Sequence, residues 1–172
     1  MTLASLVGGS VGTAGAAIPF VASFAPSRKA KGEGAPIKVD ISVLEKGALH
    51  VVPWRRKPVW ILWRTDDMLA QMEETLGDLL DPDSDSSKQP EYCKNGHRSI
   101  KEEFFVALGV CTHLGCSPGV DDPDGFLCAC HGSSFDYAGR VLKGSPAPQN
   151  LEIPEHHFVD DNTLVIGMSE SA

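Results

Sequence analysis

The sequence predicts a mostly β head domain preceded by one N-terminal transmembrane helix. Three observations carry this expectation. Short apolar runs alternate with Gly-, Pro-, Asp- and Asn-rich turn signals along most of the 172 residues, the pattern of many short strands. The stretch from Leu3 to Phe24 holds no charged side chain. Two tight boxes, Cys111-Thr112-His113-Leu114-Gly115-Cys116 and Cys128-Ala129-Cys130-His131-Gly132-Ser133, each hold two cysteines and one histidine. A hydrophobic content of 42% suits one globular domain plus a small extra element. The net charge of −8 excludes nucleic acid as a natural partner.

The elements follow in order. At 1.5 Å per residue a helix over Leu3–Phe24 reaches ~30 Å, the thickness of a hydrocarbon core. It is rich in Gly, Ala, Ser and Thr. Gly8 and Gly12 form a G-x3-G, which Gly15 and Ala16 extend, so its small face suits close packing on other helices. A cleaved signal peptide would place its A-x-A site at Ala14-Gly15-Ala16, but the apolar run continues to Pro19-Phe20-Val21, too far for a usual signal core. Residues 1–25 are therefore expected to be a membrane anchor. Arg28, Lys29 and Lys31 follow it and no Lys or Arg precedes it, so the positive-inside rule taken alone keeps the C-terminal side in the cytoplasm. Residues 26–36 read as a polar linker, and 37–172 as the head.

Within the head, Ile37–Ile41, Val59–Trp63 and Phe104–Leu108 read as strands. Thr65 is an N-cap for a helix from Asp66 to about Leu76, on which Leu69, Met72 and Leu76 recur at helical spacing toward a core. Asp81–Pro90 reads as an acidic, Ser-rich surface loop. Gly125-Phe126-Leu127 leads into the second box. Phe158-Val159, the turn Asp160-Asp161-Asn162 and Leu164–Ile166 read as a closing hairpin. Trp54, Trp60 and Trp63 read as core or membrane-facing aromatics. His50, His97, His156 and His157 read as surface or packing histidines, Lys94 and Arg98 as solvated loop charges, and Cys93 as an unreactive thiol in a polar loop.

The boxes carry the chemistry. Two thiolates and two neutral imidazoles make a four-ligand set for a soft or borderline metal centre. Structural zinc sites use C-x2-4-C hooks, whereas these boxes are C-x-H-x2-C and C-x-C-H. Two plain disulfides would leave His113 and His131 without a role. A [2Fe–2S] cluster of Rieske type, with two histidines replacing two cysteines on one iron, fits the Cys/His hooks. Spacing alone does not say which cysteine of each box is the ligand.

The chain resembles the Rieske iron–sulfur subunits of ubiquinol–cytochrome c reductase, the cytochrome bc complex. The resemblance spans almost its whole length: both boxes, Gly144-Ser145-Pro146-Ala147-Pro148 and Asn150-Leu151-Glu152-Ile153-Pro154. Gln89-Pro90-Glu91-Tyr92-Cys93 looks like the proteobacterial branch. The resemblance implies an antiparallel Rieske-type β head with a cluster-binding part over about 108–150. It implies that Cys111 and Cys128 bind one iron, that His113 and His131 bind the other, and that Cys116 and Cys130 form a disulfide. Such a disulfide implies an oxidising compartment and a periplasmic head, against the positive-inside reading. The resemblance also implies a twin-arginine export signal before the helix. None precedes it here, so the chain reads as truncated at its N-terminus or assigned a displaced start.

By the same resemblance, the Ser133 hydroxyl donates to a bridging sulfide and raises the potential. Phe135 stands where many relatives carry a Tyr that donates to a ligand sulfur, which predicts a lower potential here. His131 takes the quinol proton, with His113 beside it at an exposed tip. Leu114 and Pro146 form the docking surface. The implied partners are quinol, a cytochrome b subunit and a c-type cytochrome subunit in a dimeric complex of the bacterial inner membrane, with residues 26–36 as the hinge. Two other readings are a soluble Rieske ferredoxin or oxygenase component, which usually lacks Cys116, Cys130 and the membrane helix, and the sister subunit of a plastoquinol or menaquinol complex.

Overall fold

The computed structural model describes residues 3–25, 32, 34–122 and 125–169. The chain divides into two compact units, Met1–Ala35 and Pro36–Ala172. In the first, helix α1 covers Leu3–Ala22 with Pro19 inside it. Among the described residues no helix is long and apolar enough to cross a membrane. The Gly, Ala, Ser and Thr content of α1 is the physical reason, since these side chains contribute little apolar surface. Most of the linker expected at 26–36 lies outside the described residues.

The second unit is three antiparallel sheets. β1 (Ile37–Asp40), β9 (Thr163–Ile166) and β8 (His156–Phe158) form one, in the order β1-β9-β8. β2 (Leu49–Trp54), β3 (Lys57–Trp63) and β4 (Phe104–Leu108) form the second. β5 (Gly119–Asp122), β6 (Gly125–Cys128) and β7 (Ser133–Phe135) form the third. The continuous apolar runs of β3 and β4 follow from burial on both faces. Val59, Ile61 and Val106 pack with Val39, Leu164 and Ile166. Trp60, Leu62, Phe105 and Ala107 face a second core with Phe126, Phe135 and Leu151. Because strand side chains alternate, the β2-β3-β4 sheet serves two cores at once. The second core reaches Cys111 and Cys128, so the two boxes are footed in packed structure.

Helix α2 (Asp66–Glu74) begins as the sequence predicts. The Thr65 side chain accepts from Met68 N at 3.2 Å, and Asp66 and Asp67 in the first turn suit its positive end. From Thr75 to Asp78 the chain tightens into a 3-10 turn. That change of period rotates Leu76 away from the core, where it is 42% exposed rather than packed beside Met72.

Two loop readings are corrected. Arg98 is fully buried, not solvated. Its guanidinium donates to the carbonyls of Ala138 and Leu151 and to Gln89 Oε1, at 2.8–3.0 Å. Long-range carbonyls, invisible in local sequence, replace its water. Arg64 and Arg140 are buried with it, and Arg140 Nε pairs with the buried Asp136 at 2.7 Å. Burial lowers the Arg64 and Arg98 pKa values to about 10. Burial also pushes the Asp136 carboxyl up, while Arg140 and two backbone amides pull it down. Cys93 lies in the core on the 3-10 turn Glu91–Cys93, not in a polar loop, and burial pushes its thiol up to about 12, where it is inert. Of the remaining histidines, His50 is exposed, His97 and His157 are half-buried and His156 is buried. Trp54 and Trp60 are core residues and Trp63 is half-buried. Lys94 is exposed and pairs with Asp85.

Candidate metal centre

The first box leaves the end of β4. Gly109 passes against the Trp60 indole so closely that a Cβ would overlap the ring. The loop then closes on itself. Cys111 N donates to Cys116 O at 2.7 Å and Gly115 N to Cys111 O at 3.0 Å, with Gly115 at φ +82°. The second box is the β6–β7 turn. Cys128 pairs with Ser133 as the last rung, and Gly132, at φ +75°, donates to Cys128 O at 2.9 Å. Cys128 is thus held by a strand, while Cys130 and His131 stand exposed on the turn.

A disulfide joins Cys116 to Cys130, with the Cα atoms 6.7 Å apart, and ties the two turns together. Cys111 and Cys128 are free and buried. Their side chains hydrogen-bond each other, and the Ser133 hydroxyl bonds Cys111. Burial raises the Cys111 pKa, against the pull of the His113 amide and that hydroxyl. The His113 and His131 rings meet edge to face, with centroids 4.8 Å apart. His113 Nδ1 is buried and meets no hydrogen-bonding partner among the described residues. The sulfurs of Cys116, Cys128 and Cys130 lie within 4.8 Å of one another, but two of them are consumed by the disulfide and offer no thiolate.

This donor set fits a [2Fe–2S] group. A single zinc draws four donors to one point at about 2.0–2.3 Å. Here the donors stand as a thiol pair and an imidazole pair, which would give each of two irons one pair. The orphaned Nδ1 is a ring nitrogen whose natural partner is a metal. Cys111, Cys128, His113 and His131 would hold the group.

A third loop completes the site. Ala147 N donates to Ser133 Oγ at 3.0 Å, and Ser134 N to Ser145 Oγ at 3.1 Å. The Thr112 hydroxyl donates to Gln149 O at 2.6 Å. At the tip Leu114 is 71% exposed, and Pro146 is exposed as well. Phe135 is buried, two residues from Ser133 on the same face of β7. Sequence reasoning missed Thr112, Gln149 and Asn150. Their contacts run through backbone atoms far along the chain, and no local pattern marks them.

Three-stranded antiparallel sheets carrying a Cys/His centre on two disulfide-linked loops are the architecture of Rieske iron–sulfur proteins. The Rieske [2Fe-2S] domain family matches residues 93–155. The ubiquinol-cytochrome c reductase iron-sulfur subunit of Allochromatium vinosum is 50% identical over 97% of this chain and 86% of its own length. The subunit of the same name from Bradyrhizobium diazoefficiens is 40% identical over 92% of this chain and 86% of its own length. A solved structure titled "Hyperthermophilic respiratory Complex III" has a TM-score of 0.53 and 26% identity, over 95% of this chain and 99% of that one. The chain belongs to the family of Rieske iron–sulfur subunits of ubiquinol–cytochrome c reductase.

Proposed function

We propose that this chain is the electron-transferring subunit of a membrane-bound quinol–cytochrome c oxidoreductase. The observation that carries the reading is the paired donor set, Cys111 with Cys128 and His113 with His131, footed in the core and closed by the Cys116–Cys130 disulfide. When bound, a Rieske [2Fe–2S] group supplies a one-electron acceptor. The chain's own residues do the rest. His131, exposed on its turn, offers its imidazole to a quinol hydroxyl and takes the proton. His113 stands beside it and completes the polar tip. Leu114 and Pro146 form an apolar collar that docks against a cytochrome b subunit and keeps water from the tip. Residues 26–36 are the hinge on which the head, 37–172, moves to a c-type cytochrome subunit. The second quinol electron leaves through a b-type haem of the partner, and the complex is a dimer.

Residues 1–25 are the single-pass anchor in the bacterial inner membrane, with the head in the periplasm. At 20 residues, α1 is about 30 Å long, a bilayer core's thickness. Its small-residue surface suits packing against neighbouring helices rather than lipid. The disulfide supports an oxidising compartment. Phe135, which lacks a hydroxyl, favours a quinone of lower potential than Tyr-bearing relatives use. The testing experiment is a redox titration of the purified chain across pH. A potential toward the upper part of the roughly −150 to +300 mV Rieske range, falling as pH rises above neutral, is expected. A value near the lower limit that does not move with pH would instead mark a soluble ferredoxin-type carrier.

A further inference from the structure

Segment 77–88 does not behave as the free acidic loop its composition suggests. It grips the third loop at both ends. At the start of that loop, Lys143 N donates to Asp78 O at 2.8 Å, and Leu79 bridges Leu142. At its end, Gln149 Nε2 donates to Ser86 O at 2.5 Å and Asn150 N to Ser87 Oγ at 3.0 Å. The grip is itself built. The Asp81 carboxylate accepts from the amides of Asp85 and Ser86 and from the Ser87 hydroxyl, at 2.8–3.1 Å. Ser87 therefore spends its proton on Asp81 and its lone pair on Asn150.

Between these two grips the third loop touches both boxes. Thr112, between Cys111 and His113, donates to Gln149 O. Ala147 N donates to Ser133 Oγ. That second contact fills one lone pair of the hydroxyl, which also bonds Cys111.

We propose that segment 77–88 is a positioning strap that orients the Ser133 hydroxyl toward the sulfurs of the cluster site by fixing both ends of the third loop. The proposal rests on the cluster reading above. Asp81, Ser87 and Gln149 are positioning residues and touch no reacting atom. Releasing the strap lets Ala147 retreat from Ser133, so the hydroxyl rotates and the sulfur loses part of a hydrogen bond. A weaker sulfur hydrogen bond lowers a cluster's potential.

The test is a redox titration at fixed pH, followed by electron paramagnetic resonance, on the full chain carrying its cluster. Ser87→Ala, Ser87→Thr, Ser133→Ala and the double variant S87A/S133A are compared with the parent chain. Ser87→Ala should lower the midpoint potential, by less than Ser133→Ala does. Ser87→Thr, which keeps the hydroxyl, should restore the parent value. The double variant should match Ser133→Ala alone, because both changes act through one hydroxyl. If Ser87→Ala fails to load a cluster, Gln149→Ala removes only the side-chain grip on Ser86 O and is read the same way. A parent potential in a fully loaded Ser87→Ala chain, or shifts that add in full in the double variant, would overturn the strap. Absence of the cluster signal from the parent chain would instead reject the cluster reading on which the strap stands.

Discussion

His156 gives the chain a specific weakness to acid. The ring is buried, its Nδ1 lies 2.8 Å from Pro154 O, and its Nε2 has no hydrogen-bonding partner among the described residues. That is the neutral form, with Nδ1–H donating to the carbonyl. Burial lowers its pKa from 6.5 to about 4, against a smaller upward pull from Pro154 O. In the unfolded chain the ring titrates at its ordinary value. As pH falls below about 6.5, the unfolded state therefore takes up a proton that the folded state refuses. This group leaves stability untouched above about pH 6.5 and reduces it progressively toward pH 4. The gap between 6.5 and about 4, at about 1.4 kcal/mol per pH unit, amounts to about 3–4 kcal/mol when fully expressed. The perturbation is His156→Gln, which cannot titrate. Denaturant unfolding, followed by tryptophan fluorescence, is measured for both chains at about pH 7.5 and about pH 4.5. The parent should lose about 2–3 kcal/mol more than the variant between the two conditions. Comparing pH dependences cancels any uniform loss of stability in the variant. Equal losses in both chains would refute the reasoning, because His156 would then be taking up its proton in the folded state.

Other outcomes follow from the same structure. Phe135→Tyr adds a hydroxyl on the face of β7 that already carries Ser133, and should raise the midpoint potential, whereas Ser133→Ala should lower it; both are read by redox titration at fixed pH. Gly125→Ala would drive a Cβ into the Phe135 carbonyl and the Asp136 backbone, and should destabilise the head by about 2–3 kcal/mol, read as a lower unfolding midpoint. Replacing Asp136 by Asn removes the carboxylate that pairs with buried Arg140 and should cost about 3–5 kcal/mol, again by denaturant unfolding. Prolines at Lys31 and Gly32 should slow quinol-to-cytochrome c turnover in membranes while cluster content and potential stay normal.

Much of the fold is legible in the sequence where local chemistry decides it. β3 and β4 are uninterrupted apolar runs, the Thr65 cap has an acidic first turn, and the β8–β9 hairpin carries its own turn residues. β2 is not legible, because His50 and Pro53 break its pattern; its edge position in the β2-β3-β4 sheet tolerates both. β7 is three residues long and exists through its pairing with β6. Arg98 misleads for the same reason: a cation in a polar stretch reads as solvated, and the carbonyls that satisfy it come from residues 138 and 151. The two boxes announce a Cys/His centre by residue type and spacing, but not which cysteine of each box is the donor. The support around them does not, since Thr112, Gln149, Asn150 and Ser87 act through hydrogen bonds that span up to 69 positions.

The central claim is that Cys111, Cys128, His113 and His131 hold one [2Fe–2S] group with mixed ligation. Low-temperature electron paramagnetic resonance of the reduced full chain, with iron and acid-labile sulfide analysis of the same sample, tests it most directly. The account predicts two irons and two sulfides per chain, and a rhombic signal with an average g value well below that of an all-cysteine ferredoxin. Stoichiometric zinc without labile sulfide, in protein produced with iron available, would contradict it.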